Sequence, residues 1–214
     1  AKLNKAIDGF SWGRIYTISG ISGSGKSITI EEIKRDLVDV NPNQAFDILS
    51  FEFEMLSTDQ IARNISGKTE KSVAELYSAN QEYLDKETFS KVEEITKELL
   101  SYPIYYVDEV GTVPEIKSTI YSFLNEHNSN KDKGLIVTLD HSLLTKGLSG
   151  QSEKETVDQL MHLFVELKKT LTVEGYKVMF ILLSQLNRDI EKQERVLNPM
   201  FHFPTKNDIF AASS

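Results

Sequence analysis

The chain has no cysteine, so neither disulfides nor thiolate metal sites contribute to it, and thiol redox chemistry is excluded. Nor does any uninterrupted apolar run approach the roughly 20 residues that a membrane-crossing helix needs. The first residues, Ala1-Lys2-Leu3-Asn4-Lys5, lack the apolar segment of a signal peptide. A soluble, cytoplasmic protein with no membrane partner is therefore expected. Proline and glycine are sparse, at 5 and 11 residues, and there is no internal repeat or low-complexity linker. With 40% hydrophobic and 26% charged residues, this composition excludes a disordered chain. The four histidines (His127, His141, His162 and His202) show no metal-ligand spacing. Positive charge is also in deficit: 24 Lys and Arg stand against 32 Asp and Glu, a net charge of -8. Spread evenly, that charge repels a phosphate backbone, so any nucleic-acid contact has to be local.

The length, 214 residues, suits one well-buried core and is short for two, so residues 1–214 are expected to form a single domain. Because the chain starts without Met and stops at Ala211-Ala212-Ser213-Ser214, it is expected to be a fragment of a longer protein. Short apolar runs at 15–18, 46–51, 104–107, 135–139 and 178–183 alternate with helical patterns. Near-continuous apolar runs of this length are what parallel strands covered on both faces require. The expected class is thus α/β, a mostly parallel central sheet flanked by helices. Ser57 with Gln60, Thr112 with Glu115 and Ser152 with Glu155 read as capping boxes, and Gly67 and Gly175 read as helix stops. The clearest helix spans 152–174, with Val157, Leu160, Phe164, Leu167 and Leu171 on one stripe that packing explains.

Open parallel sheets bind ligands beyond the carboxyl ends of their strands, and every expected strand here ends in polar residues. The first runs into Gly20-Ile21-Ser22-Gly23-Ser24-Gly25-Lys26-Ser27, which matches G-x-x-x-x-G-K-[ST] between a strand and a helix. Small residues let the backbone curl until its N–H groups surround phosphate oxygens, and the following helix adds its positive end. Gly20, Ser22, Gly23, Ser24, Gly25, Lys26 and Ser27 are therefore expected to hold ATP. Lys26 would reach the outer phosphates and Ser27 would offer its hydroxyl to magnesium. Hydrolysis further needs a carboxylate on the magnesium side and a group that activates water. On local pattern alone, Asp140 and Asp108 with Glu109 compete for the first role, and Glu52 and Glu54 for the second. The residue left over at the third strand or the fourth would be a helix-initiating acid or a solvated edge carboxylate.

In order, the chain shows residues 20–27, then Phe51-Glu52-Phe53-Glu54-Met55 with Gln60-Ile61-Ala62-Arg63, then 104–108 and 135–140. Ser184-Gln185-Leu186-Asn187-Arg188 with Glu191, and Pro204 with Asn207-Asp208-Ile209, complete the series. This succession resembles the DnaB-type replicative helicases, whose motor is a RecA-like P-loop ATPase core. The resemblance runs from about Gly9 to Ala211. It implies Glu54 as the residue activating water, Asp140 as the magnesium-side acid and Gln185 as the sensor of the terminal phosphate, with Asp108 secondary. It further implies a homo-hexameric ring that unwinds DNA by moving on single-stranded DNA, with a primase or loader as partner. Two departures stand out: His141 where relatives commonly carry Tyr, and Glu52 in place of a small residue. The arginine finger that such rings lend to a neighbour is expected beyond residue 214, and no amino-terminal helicase domain is expected within the chain.

Residues 145–154 and 187–206 are the expected channel loops, with Arg188, Lys192 and Arg195 as DNA contacts. Asp189, Glu191 and Glu194 offset these charges, so the bland reading is a solvated loop. Phe201, His202 and Phe203 are read as core or interface residues in preference to base-stacking ones. Two other classes share the same motifs: a RecA-like or KaiC-like ATPase with a recombination or regulatory role, and a nucleotide-binding module whose catalysis has decayed.

Overall fold

The computed structural model describes residues 7–78, 85–198, 200, 203–205, 208 and 209. Five strands form one sheet: β1 (Ile15–Gly20), β2 (Phe46–Glu52), β3 (Ile104–Val107), β4 (Gly134–Asp140) and β5 (Lys177–Gln185). Their order across the sheet is β1-β5-β4-β2-β3, and every pairing is parallel. All five expected runs are strands, each within three residues of its expected ends. The three central strands are buried almost throughout, as continuous apolar runs demand.

Seven α-helices accompany the strands among the described residues: α1 (Lys26–Asp39), α2 (Ser57–Thr69), α3 (Val73–Leu76), α4 (Lys86–Ser101), α5 (Val113–His127), α6 (Glu153–Val173) and α7 (Gln193–Val196). Short 3-10 turns occupy Ser142–Leu144 and Arg188–Glu191. Side chains alternate across a strand, and the core divides accordingly. On one face Leu49, Phe51, Leu135, Val137, Val178 and Phe180 pack against α5 and α6. On the other, Phe46, Ile48, Ile136, Met179 and Ile181 pack against Ile30 and Ile33 of α1. The second face changes character toward the carboxyl end of the strands. Ile48 and Ile136 give way to Ser50 opposite Thr138, and these to Glu52 opposite Asp140. The polar end of that face lies beneath the start of α1.

The stripe of α6 is buried in full, Ser152 and Glu155 form a capping box at its start, and Gly175 takes a left-handed φ of 92° just past its end. Thr112 and Glu115 cap α5 in the same way. Two expectations fail. Ser57 and Gln60 form no capping box, because Gln60 turns inward to Glu52 and the amino end of α2 is held from another strand. Gly67 is not a stop: α2 continues to Thr69, and the left-handed residue is Glu70. Among the described residues no helix is long and apolar enough to cross a membrane.

Candidate functional site

β1 and β5 pair so that Gly20 lies level with Gln185, and Leu186 N–H donates to the Gly20 carbonyl at 3.1 Å. The chain then turns through residues 21–25 into α1. Gly25 precedes that helix with a left-handed φ of 83°, which glycine adopts without steric cost, and no side chain caps the helix. Its first turn also carries no acid. The free N–H groups and the positive end of the helix are left for an anion, the arrangement that suits phosphate. At Gly20 a Cβ would run into the Ser24 hydroxyl and approach the Lys26 stem at 3.3 Å, so glycine lets the loop close tightly there. The Lys26 ammonium is held at the loop by the carbonyls of Gly20 (3.1 Å) and Ile21 (2.9 Å). Ser22, Gly23 and Ser24 are exposed at the tip. Beside the loop a cleft of about 640 Å³ opens between Ile18, Lys26, Leu186, Ile190 and Val196, an apolar wall able to accept a nucleoside.

Asp140 ends β4 beneath Ser27. The residue is 3% exposed, and Oδ1 is buried without a hydrogen-bond partner. Burial pushes its pKa up to about 6, against the Ser27 hydroxyl that lowers it, and the negative charges of Glu52 and Glu54 raise it further. A buried oxygen left unpaired costs free energy unless something binds it. An oxygen donor of this kind next to a hydroxyl fits a magnesium ion, which prefers oxygen ligands. Ser27 and Asp140 could therefore hold that ion.

The two glutamates of β2 have different surroundings. Glu52 is 3% exposed and fully engaged: Lys34 donates to Oε1 at 3.0 Å, Ser50 to the same oxygen at 2.5 Å, and Gln60 to Oε2 at 2.8 Å. Glu54 lies past the strand end with its side chain half exposed, facing His141 Nε2 at 3.8 Å. Burial lowers the pKa of His141, against the charge of Glu54 that raises it. Glu54 is thus the carboxylate of the pair that is free to face a ligand. Asp108 accepts from Ser57 N–H at 2.9 Å and from the Ser57 hydroxyl at 2.7 Å, so it caps α2 from the edge strand. This is the helix-initiating role left open for the losing acid. Glu109 is exposed beside it.

The expected DNA contacts lie in the segment after β5, part of which lines the cleft beside the phosphate loop. Arg188 starts a 3-10 turn, and Lys192, which ends it, pairs with Asp189 at 2.8 Å. Arg195 is committed inward: its guanidinium clasps Asp208 and donates to the Phe203 carbonyl at 3.4 Å, and this clasp holds the Asp208 carboxyl well below the ordinary range. Phe203 is exposed, while Phe201, His202, Lys206 and Asn207 lie outside the described residues. In the 145–154 loop, Lys146 N–H donates to the Gly111 carbonyl at 3.0 Å.

Sequence reasoning missed Lys34, Ser50, Thr138 and the Arg195–Asp208 pair. A signal existed for the first three. Lys34 falls on the stripe of α1 that Ile30, Ile33 and Leu37 occupy, and Ser50 and Thr138 interrupt apolar strands. The Arg195–Asp208 pair joins residues 13 apart and has no local pattern.

Two solved structures are similar in fold. One is the ATPase domain of another protein, at 18% identity and a TM-score of 0.77, covering 97% of this chain and 67% of that one. The other is "The Structure Of A DnaB-Like Replicative Helicase And Its Interactions With Primase", at 18% identity and a TM-score of 0.78. It covers 99% of this chain, which spans 48% of that protein's length. No curated protein matches in sequence. The profile of the DnaB-like helicase C terminal domain matches residues 1–202, nearly the whole of the 214, and the chain belongs to that family.

Proposed function

We propose that this chain is the ATP-hydrolysing motor of a DNA helicase acting in replication, which moves on single-stranded DNA as a homo-hexameric ring. The observation that carries the reading is the meeting, at one sheet edge, of an uncapped phosphate loop, a buried acid with an unpaired oxygen, and a half-exposed glutamate. The loop N–H groups and Lys26 bind and orient the phosphates of ATP. Ser27 and Asp140 hold magnesium, which when bound neutralises phosphate charge and polarises the terminal group. Glu54 orients and deprotonates the attacking water, a role that its exposure and position beyond β2 support and that the engaged Glu52 is not free to take. Gln185, level with Gly20, has an amide that can both donate to the terminal phosphate and accept from water.

On the DNA side, Arg188 and Lys192 of the segment after β5 are the proposed direct contacts, while Arg195 is taken up by Asp208. Weak contacts repeated around a ring grip a strand whose phosphates no single subunit would hold, and a primase or loader is the proposed protein partner. The test is turnover in the intact protein, with and without single-stranded DNA. Glu54→Gln should keep nucleotide binding and lose hydrolysis by at least a hundredfold, while parent turnover rises with DNA and falls with salt. Normal turnover in Glu54→Gln would reject the assignment. Ring formation with no response to DNA would favour the RecA-like or KaiC-like regulator instead.

A further inference from the structure

Beneath the nucleotide site lies a buried charged network that the chemistry above does not use. Lys34, about 12 Å along α1 from Lys26 at 1.5 Å per residue, is fully buried, yet its ammonium has an ordinary lysine's charge to satisfy. It donates to Ser50 Oγ at 2.9 Å and to Glu52 at 3.0 Å, touches Glu31, and lies 4.9 Å from the centre of the Tyr106 ring. Ser50 spends its one proton on Glu52, so the Thr138 hydroxyl, 2.5 Å away, donates to Ser50. Gln60 of α2 closes the other side of Glu52. Five elements, α1, α2, β2, β3 and β4, thus meet at one buried ion cluster. For stability alone, apolar side chains of similar volume would serve as well or better, because desolvating three charges offsets their attraction. What the cluster supplies instead is a fixed geometry.

The geometry matters because of where β2 leads. Glu52 is clamped to the helix that begins at the phosphate loop, and the next residue, Phe53, donates its N–H to the Asp140 carbonyl at 2.7 Å. Glu54 follows at once, half exposed, with His141 Nε2 at 3.8 Å from its carboxylate. Its own contacts do not fix its place; the backbone anchored just before it does. We propose that Lys34 and Glu52 are positioning residues that lock the exit of β2 to the phosphate-loop helix, and so set the distance at which Glu54 meets the terminal phosphate.

The inference rests on Glu54 as the water-activating residue, and displacement of a reacting group by about 1 Å is enough to cost a hundredfold in rate. Two variants of the intact protein test it beside Glu54→Gln. Glu52→Gln leaves Lys34 its contact with Glu31, and the triple change Glu31→Leu, Lys34→Met, Glu52→Leu replaces the cluster with apolar volume. In both, kcat should fall at least tenfold, while affinity for ATP and magnesium, measured by calorimetry, stays within twofold. A merely structural cluster would change melting temperature and leave kcat of the folded protein alone. Folded variants with kcat within twofold of the parent, alongside a dead Glu54→Gln, would overturn the positioning role and spare Glu54. An active Glu54→Gln would instead remove the reading beneath it.

Discussion

Asp140 shows how a single buried residue can weaken the fold that holds it. Its carboxyl group is buried, and its pKa, raised from the ordinary 3.8 to about 6, means that the folded protein holds its proton more tightly than the unfolded chain. Stability in the absence of metal therefore rises as pH falls from about 6 towards 4, and is lowest from this group above 6, where the charge is buried unpaired. Asp140→Asn should raise the stability of the metal-free protein at pH 7 by about 1–3 kcal/mol, read by denaturant unfolding. The same change should remove the gain in nucleotide affinity that magnesium gives. Loss of stability together with unchanged magnesium dependence would place the ion elsewhere. Lys26→Ala should abolish binding without lowering stability, because the amine touches only the loop's own carbonyls. The phosphate loop with Lys26 was legible by type and spacing, whereas Asp140 and Asp108 competed on local pattern and the resemblance alone favoured Asp140. The choice between Glu52 and Glu54 was not legible from spacing, since period-two alternation puts both on one side, and it is their neighbours in the fold, Lys34 and Gln60 for one and His141 for the other, that tell them apart.

Among the elements, α2 is anchored from outside itself. Its start is capped by Asp108, at the end of β3 and 51 residues away, and its Gln60 reaches Glu52. The Ser57–Gln60 spacing suggested a local capping box, and a tertiary acid displaced it; no window of sequence around Ser57 contains that information. Asp108→Ala should accordingly cost about 1 kcal/mol of stability, as lost caps do, and leave kcat unchanged. A collapse of kcat with nucleotide affinity intact would return Asp108 to the reaction. The stripe of α6 was fully legible because each member recurs at helical spacing, and one of them, Leu160, is completely buried. Leu160→Ala should cost about 2–5 kcal/mol by the cavity it leaves. α1 is the mixed case, with an apolar stripe broken by a lysine whose partners, 16 and 18 residues further on, both come from β2. Lys34→Met alone should destabilise by about 3–5 kcal/mol, because it strands buried carboxylates, and the triple apolar change should recover most of that loss.

At the scale of the whole molecule, the order β1-β5-β4-β2-β3 brings the loop, Gln185, Asp140 and the end of β2 side by side, although they are scattered over 165 residues of sequence. Polar strand ends made this edge visible in advance, whereas the order of the strands came from the structure. The segment after β5 was read for charge, yet Arg195 turns inward to Asp208 and Lys192 pairs with its neighbour. DNA affinity should fall with salt, because it depends on cation contacts to phosphate, and should weaken in Arg188→Ala with ATP affinity unchanged, as strand-binding assays would show. All of this depends on the sheet edge binding nucleotide through magnesium. Titration calorimetry with a non-hydrolysable ATP analogue tests that most directly. The account predicts magnesium-dependent heat at one site per chain, lost in Lys26→Ala and reduced to the metal-free level in Asp140→Asn; equal heat with and without magnesium, or equal heat in these variants, would contradict it.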